Sequence, residues 1–162
     1  MLGAERFREV IGHFATGVTV ITARSDGRAH GTTASAVCSV SLEPPSLLVC
    51  MNRSSATGAA IDRSGRFAVN VLTEAQADVA ARFARQGGDF EGLVVEAGAR
   101  GVPLLAEALA VIECRVVERA RGGTHTVFIA AAERAEAREG GAPLAYFRGE
   151  FGRLAPLPRF AE

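Results

Sequence analysis

Apolar and polar residues at the start of the chain follow first a helical and then a strand period. The apolar residues between positions 5 and 15 recur at the spacing of one helix face: Phe7, Val10, Ile11 and Phe14. Gly17 is placed to end this helix in a left-handed conformation. The β-branched segment 18–22 then predicts a strand, and Asp26-Gly27 predicts a tight turn into a second strand.

The rest of the chain contains more strand-like than helical segments. Pro44 and Pro45 cannot donate main-chain hydrogen bonds, so they mark a sheet edge or a loop before the apolar strand 46–51. The glycine-containing turn at 121–124 separates two long strand candidates and predicts a hairpin. Further strands are predicted at 67–72, 109–119, 124–138 and 144–148.

Capping residues predict two more helices. Ser54 or Ser55 can cap a helix that ends near residues 62–63. Segment 73–76 has the spacing of a capping box and begins the other helix. The segment 85–100 is rich in glycine, so we expect a flexible excursion from the regular structure there.

The balance of these elements predicts the fold class. Six or more strands joined mainly by turns, with two or three short helices, favour a mainly β, antiparallel barrel over a parallel doubly wound sheet. Residues 1–162 show no second composition and are predicted to form a single domain. The sequence has no GxGxxG motif after a strand and no P-loop, so a nucleotide would have to bind by another route.

Charge and composition narrow the classes of partner. Lys plus Arg and Asp plus Glu number 18 each, so the whole chain has no net field that favours nucleic acid or an anionic membrane. The first ten residues are charged where a secretory signal would be apolar, and no apolar run reaches the ~20 residues of a membrane span. We therefore predict a cytoplasmic protein with no nucleic acid or membrane partner.

The cysteines predict neither a disulfide framework nor a metal site. Cys38, Cys50 and Cys114 lie far apart, and the chain has no CxxC pair and no histidine at zinc-ligand spacing. The expectation is three free thiols that act as small buried hydrophobes in a reducing compartment.

The segment 31–57, GTTASAVCSVSLEPPSLLVCMNRSSAT, combines hydroxyls with small side chains. Residues 32–35 offer an accessible backbone and donors, which suit a flat, polar heterocycle. Asn52, residues 54–55 and Thr57 lie at a predicted helix start, where backbone N–H groups favour a phosphate tail, and Arg53 adds positive charge. Alternatively, these hydroxyls occupy the solvent face of a strand or only cap the helix.

Five motifs in this order resemble the short-chain flavin reductase family, whose members have the FMN-binding split-barrel fold. The motifs are FATGVTVIT, HGTTASAVCSVSLEPPSLLVCMNRSSAT, FAVNVL, GGTHTVFIA and PLAYFRG, and the similarity runs from about Phe7 to Leu154. The resemblance implies a homodimeric enzyme that uses NADH or NADPH to reduce FMN or FAD. It also implies that reduced flavin is supplied to a separate monooxygenase.

The resemblance assigns site residues by matching positions. The positions beside the isoalloxazine are Thr33, Ala34 and Ser35, with Cys50 and Met51 on the adjoining strand and Ser39 and Ser41 at the border. The positions at the ribityl and phosphate end are Asn52, Ser54, Ser55 and Thr57, with Phe83 and Arg85 near the tail or adenylate. The chemistry of the segment adds Thr32 and Arg53 to the cofactor-binding set. Tyr146 covers the ring or the dimer seam, or packs in the core.

His125 is the candidate catalytic residue, because it is the histidine within a matching family motif. The resemblance implies that it contacts the nicotinamide, where a neutral imidazole would position the reacting carbon against the flavin. The alternative is a structural histidine that binds turn carbonyls. Many relatives have an acidic residue before this histidine, whereas this chain has Thr124, whose neutral hydroxyl would hold the imidazole differently.

Two other functions are compatible with the sequence. A split barrel can bind flavin without a productive nicotinamide site, which would make the chain a non-enzymatic flavin-binding protein. A barrel for an apolar ligand would leave the two hydroxyl clusters unexplained. The apolar segment 101–105, GVPLL, could seek a partner surface and adds modest support for dimerisation.

Overall fold

The computed structural model describes residues 1–157, which form a mainly β structure with three short α-helices. The helices are α1 (Ala4–Ile11), α2 (Ala56–Ser64) and α3 (Ala77–Phe83), and 3₁₀ turns span Glu74–Gln76 and Ala99–Gly101. The first six strands are β1 (Thr16–Gly17), β2 (Thr19–Ser25), β3 (Arg28–Ala34), β4 (Val37–Leu42), β5 (Pro45–Asn52) and β6 (Arg66–Val71). The last six are β7 (Val95–Ala97), β8 (Pro103–Leu105), β9 (Ala110–Gly122), β10 (His125–Ala137), β11 (Leu144–Phe147) and β12 (Glu150–Arg153).

Seven strands form one antiparallel sheet in the order β3-β2-β6-β9-β10-β5-β4. The two edge strands, β3 and β4, are consecutive in the chain and are joined only by Ser35 and Ala36. The sheet must therefore curl until its two edges lie near each other, which leaves an open seam between them. This arrangement confirms the prediction of an antiparallel barrel with short helices.

Local sequence explains where α2 and the first hairpin lie. Ser55 caps α2, because its Oγ accepts a hydrogen bond from the Gly58 N–H at 3.2 Å, and Gly65 ends the helix with a left-handed φ of 67°. Asp26 and Gly27 both have positive φ, the conformation of a tight turn between paired strands. Both predictions are confirmed, with Ser55 rather than Ser54 as the cap.

The first helix is shorter than its apolar spacing predicts. It ends at Ile11, because the chain turns at Gly12, whose carbonyl oxygen accepts a hydrogen bond from the Arg148 N–H at 2.9 Å. Gly17 lies in β1 opposite Ala145 and has no left-handed conformation, so its predicted role as the helix stop is wrong. No residue of α1 is buried.

The glycine-rich excursion contains structure that the sequence pattern did not reveal. It ends in a short hairpin, in which β7 pairs with β8. Val102 and Leu105 are buried in the chain's own core at 4% and 3% exposure. The apolar segment 101–105 therefore does not support dimerisation as expected, because its apolar side chains already have intramolecular partners.

A buried asparagine fastens this hairpin to the large sheet. Asn70 is completely buried in β6, and its side-chain Nδ2 donates to the carbonyl oxygen of Val20 at 2.9 Å and to Thr22 Oγ1 at 3.1 Å. Its Oδ1 accepts a hydrogen bond from the Leu105 N–H at 2.8 Å. Both ends of the amide are thus satisfied within the core.

The described residues contain neither a membrane-spanning helix nor a cluster of metal-binding side chains. None of the helices within residues 1–157 has the length and apolar character needed to cross a bilayer. The same part of the chain holds no group of three or more His, Cys, Asp and Glu side chains arranged to bind a metal ion.

Candidate functional site

A groove of about 270 Å³ lies at the open seam of the barrel. The residues that line it come from the end of β3, the β3–β4 joint, the end of β5, the cap of α2 and the start of β10: Thr32, Thr33, Ala34, Ser35, Ala36, Cys50, Met51, Asn52, Ser55 and His125. All of these except Ala36 are among the residues predicted from the sequence. The fold thus brings together residues that are up to 93 positions apart in the chain.

Strand register explains why His125 meets the segment 50–52. In the β5–β10 ladder His125 is directly opposite Asn52, and Val127 is opposite Cys50. His125 and Cys50 therefore lie on the same face of the sheet, because side chains two positions apart share a face. The Cys50 N–H donates to the Ala36 carbonyl oxygen at 3.1 Å, which fixes the β3–β4 joint against β5.

The threonine hydroxyls at the end of β3 donate within the chain. Thr33 Oγ1 donates to the Ala80 carbonyl oxygen at 2.7 Å, and Thr32 Oγ1 lies 3.5 Å from the Phe83 carbonyl oxygen. These threonines fasten the end of α3 to the barrel. Ser35 and the outer main-chain N–H groups of β3, an edge strand with one side unpaired, remain as donors that a ligand could use.

The loop before α2 is ordered by its own polar side chains. Asn52 Oδ1 accepts hydrogen bonds from the Ser54 N–H and Oγ, both at 2.9 Å, so the Asn52 side-chain NH₂ remains as a donor. Arg53 is exposed beside this loop. Thr57 is only 2% exposed and does not line the groove. Residues 52–55 can therefore offer several donors to an anionic group at the groove's end.

Thr124 holds the imidazole of His125. The Thr124 Oγ1 lies 2.9 Å from His125 Nδ1, which is a hydrogen-bond distance. The other ring nitrogen, Nε2, takes no part in this contact. The histidine is half-buried at the start of β10. Its orientation is thus set by a neutral hydroxyl, as the sequence predicts from the neighbouring Thr124.

Eight predicted site residues do not line the seam groove: Arg53, Ser54 and Thr57 of the loop and helix described above, and five residues elsewhere. Ser39 and Ser41 are on β4, and Ser41 Oγ donates to the Glu43 carbonyl oxygen at 3.0 Å. Phe83 is completely buried and packs on Phe90 with ring centroids 4.9 Å apart. The other two are Arg85, which is exposed, and Tyr146, which lines a neighbouring cavity.

This neighbouring cavity lies between α1 and the β4 edge and has a volume of about 910 Å³. It shares Ser35, Ala36 and Cys50 with the seam groove, so the two spaces adjoin at these residues. Thr16 Oγ1 lines the cavity and is buried without a hydrogen-bond partner among residues 1–157. A second polar ligand could satisfy this hydroxyl.

The three thiols differ in environment. Burial, together with the carboxylates of Glu133 and Glu113, raises the pKa of the Cys114 thiol to about 12. The prediction of a small buried hydrophobe is confirmed for Cys114 but wrong for Cys38, which is exposed because β4 is an edge strand. Cys50 is half-buried and is the cysteine that lines the seam groove.

The seam groove fits a flat heterocycle with an anionic tail. Small side chains such as Ala34 and Ala36 leave the backbone accessible to a ring plane, and the β3 edge presents main-chain donors. The polar loop 52–55 and the cap of α2 stand at one end of the groove, where a phosphate would be placed. Ala36 escaped the sequence prediction, although its position next to Ser35 in a small-residue run was a usable signal.

Comparisons with known proteins agree with this geometry. Residues 11–155 match the family model described as "Flavin reductase like domain". The chain is 47% identical over 156 residues to the reductase component of a 4-nitrophenol 4-monooxygenase/4-nitrocatechol 2-monooxygenase of Rhodococcus opacus, which covers 96% of this chain and 83% of that protein. It is 38% identical to the FMN reductase (NADH) RutF 2 of Methylorubrum extorquens, with 97% and 92% covered.

A solved structure extends the agreement to the fold. The NADH:FAD oxidoreductase SgcE6 of Streptomyces globisporus, in complex with NAD and FAD fragments, matches with a TM-score of 0.88 and 33% identity. The match covers 94% of this chain and 93% of that one. The split-barrel fold and the family resemblance predicted from the sequence are both confirmed.

Proposed function

The chain belongs to the flavin reductase-like family, and from this premise we propose how its residues serve the reaction. The protein is an NAD(P)H-dependent flavin reductase that supplies reduced FMN or FAD to a separate monooxygenase. The relatives described above have reductase names, so nothing favours a non-enzymatic flavin-binding protein or a barrel for an apolar ligand. The observation that carries the proposal is the seam groove with His125 at its wall.

The seam groove is proposed to hold the flavin. The small residues 34–36 would lie against the isoalloxazine, whose carbonyl groups would accept hydrogen bonds from Ser35 and the edge of β3. Asn52 and the residues that follow it would bind the phosphate. The flavin itself accepts the hydride when bound, so the protein needs only to position the two ligands and supply donors.

The adjoining cavity between α1 and β4 is proposed to give the nicotinamide nucleotide its approach to the same ring. It meets the seam groove at Ser35, Ala36 and Cys50. His125 is proposed to hydrogen-bond the carboxamide through Nε2, because Thr124 already contacts Nδ1. Its role is to orient the nicotinamide, which lowers the entropic cost of reaching the geometry for hydride transfer.

The direct test of this function is anaerobic mixing of the purified protein with free flavin and a nicotinamide nucleotide. Rapid bleaching of the flavin absorbance supports the reductase, and no bleaching with either NADH or NADPH would refute it. Crossing FMN and FAD with NADH and NADPH in steady-state assays identifies the preferred pair.

Replacing His125 by alanine is expected to lower kcat/KM for the nicotinamide nucleotide about tenfold, which corresponds to ~1.4 kcal/mol of transition-state stabilisation. The dissociation constant of the flavin should change much less, because the imidazole orients the other substrate. His30→Ala is the matched control, since His30 is also half-buried at a strand position but lines neither cavity. Equal losses in turnover and flavin affinity, or no loss at all, would contradict this role.

The protein is also proposed to form a homodimer through α1. Phe7 and Val10 are 56% and 52% exposed, and Ile11 at the end of the helix and Phe14 just beyond it are exposed as well. An amphipathic helix whose apolar face has no partner in its own chain is typical of an interface. Leu42, at the end of the edge strand β4, is a further exposed apolar side chain.

Phe7→Glu is expected to raise the dimer dissociation constant at least about tenfold, because it removes apolar area and introduces a charge at the interface. Analytical ultracentrifugation over a concentration series measures the effect. Val94→Glu serves as the control, since Val94 is equally apolar and exposed but lies before β7, away from α1. An unchanged association constant for Phe7→Glu would exclude this face.

A cytoplasmic location is proposed as well. The nicotinamide nucleotides and free flavins that the reaction consumes are cytoplasmic metabolites.

A further inference from the structure

A third space, of about 400 Å³, lies on the opposite face of the β5–β10 ladder from the seam groove. We call it the arginine cavity, because three arginines line it. His125 lines the seam groove, whereas the next residue, Thr126, lines the arginine cavity, because successive side chains of a strand point to opposite faces. Met51 and Asn52, at the end of β5, line both spaces. A ligand chain that passes from one face to the other would therefore do so around the end of β5, beside Asn52.

Three arginines line this cavity: Arg53, Arg119 and Arg121. Every basic charge of the chain is an arginine, so no lysine can share this role. Arg119 is held in place, because its Nε donates to Asp62 Oδ1 at 2.7 Å and its guanidinium lies 6.0 Å from the centre of the Phe128 ring. Asp62 is the single carboxylate that lines the cavity among the described residues, and Arg119 neutralises it.

The other two guanidinium groups are available to a ligand. Among residues 1–157, the side chains of Arg53 and Arg121 form no ion pair and no hydrogen bond with another residue. Both are exposed and line the same cavity, Arg53 directly after β5 and Arg121 on β9, with β10 between them. Two unneutralised guanidinium groups beside one space match the planar, bidentate recognition of phosphate.

We propose that this arginine cavity binds the adenylyl phosphate of FAD and makes the protein bind FAD more tightly than FMN. The proposal rests on the placement of flavin in the seam groove. With the ring there and the first phosphate at residues 52–55, the rest of the FAD molecule would extend past Asn52 into the arginine cavity. FMN ends at the first phosphate, so it cannot reach Arg121.

The geometry favours FAD over the nicotinamide nucleotide as the occupant. The cavity that gives the nicotinamide its approach lies between α1 and β4 and shares no lining residue with the arginine cavity. A volume of about 400 Å³ lies within the range of ~300–1,000 Å³ in which small-molecule sites are found. The adenosine of FAD would thus occupy a space separate from those assigned to the isoalloxazine and the nicotinamide.

The test is a fluorescence titration of the purified protein with FMN and with FAD, in the unmodified chain and in Arg121→Ala. We expect Arg121→Ala to weaken FAD binding about tenfold, because one charge-assisted contact to phosphate is lost, and to change FMN binding less than twofold. Arg28→Ala is the matched control, since Arg28 is an exposed arginine at the β2–β3 turn and lines none of these cavities.

Each other outcome overturns the proposal in a recognisable way. Equal weakening of FMN and FAD would place the first phosphate, not the second, beside Arg121. Unchanged affinity for both flavins would exclude the cavity, and a rise in KM for NADH or NADPH alone would assign it to the nicotinamide nucleotide. If the unmodified chain bound neither flavin, the flavin site itself would fail, and this proposal with it.

Discussion

Ala36→Leu is expected to weaken flavin binding at least about a hundredfold, equivalent to ~2.7 kcal/mol, and to abolish flavin reduction at ordinary flavin concentrations. Ala36 lines the seam groove, where only small side chains separate a ligand ring from the main chain. A leucine there would fill space that the isoalloxazine occupies in the proposed complex. It also narrows the junction with the cavity between α1 and β4, because Ala36 lines both.

The fold should tolerate this substitution. Ala36 is exposed, and its structural contact is the hydrogen bond from the Cys50 N–H to its main-chain oxygen, which any side chain preserves. Ala135→Leu makes the same change at an exposed position on β10 that lines neither cavity, so it should leave flavin affinity unaltered. A dissociation constant for Ala36→Leu close to that of Ala135→Leu would show that flavin binds elsewhere. Equal unfolding midpoints in urea would verify that both variants are folded.

The sequence predicted the parts of the fold that depend on neighbouring residues. The Asp26-Gly27 turn, the Ser55 cap and the hairpin around residues 121–124 each follow from local conformational preferences. The groove was also largely predictable, because most of its residues fall in the one stretch 32–55. His125 entered the prediction through family resemblance, since its position opposite Asn52 depends on strand register.

Long-range contacts account for what the sequence could not predict. The apolar spacing of α1 extends to Phe14, but the helix ends where Gly12 meets Arg148, a residue more than 130 positions away. Thr32 and Thr33 have the composition of ligand donors, yet α3 uses their hydroxyls. Arg121 lies in a predicted strand, and nothing local indicates that it lines a cavity together with Arg53.

The contribution of Asn70 to stability could not be predicted from the sequence either, because an asparagine within an apolar strand does not reveal its hydrogen-bond partners. Asn70→Ala is expected to lower the free energy of unfolding by about 3 kcal/mol. The substitution leaves the Leu105 N–H without its acceptor in the core and removes the donor to the Val20 carbonyl oxygen. Each unsatisfied buried group costs about 1–3 kcal/mol, and water has no access to this site.

The effect should reach the β7–β8 hairpin first. Leu105 belongs to β8, and Asn70 is the side chain that ties this strand to β6. Hydrogen exchange of the Leu105 amide should therefore accelerate more than exchange in β9 or β10, alongside the shift of the urea midpoint at fixed protein concentration. Asn52→Ala is the matched control, because Asn52 is the only other asparagine and is exposed, so its loss should cost less than about 1 kcal/mol. Equal midpoints for the two variants would mean that the buried amide contributes no more than a surface one.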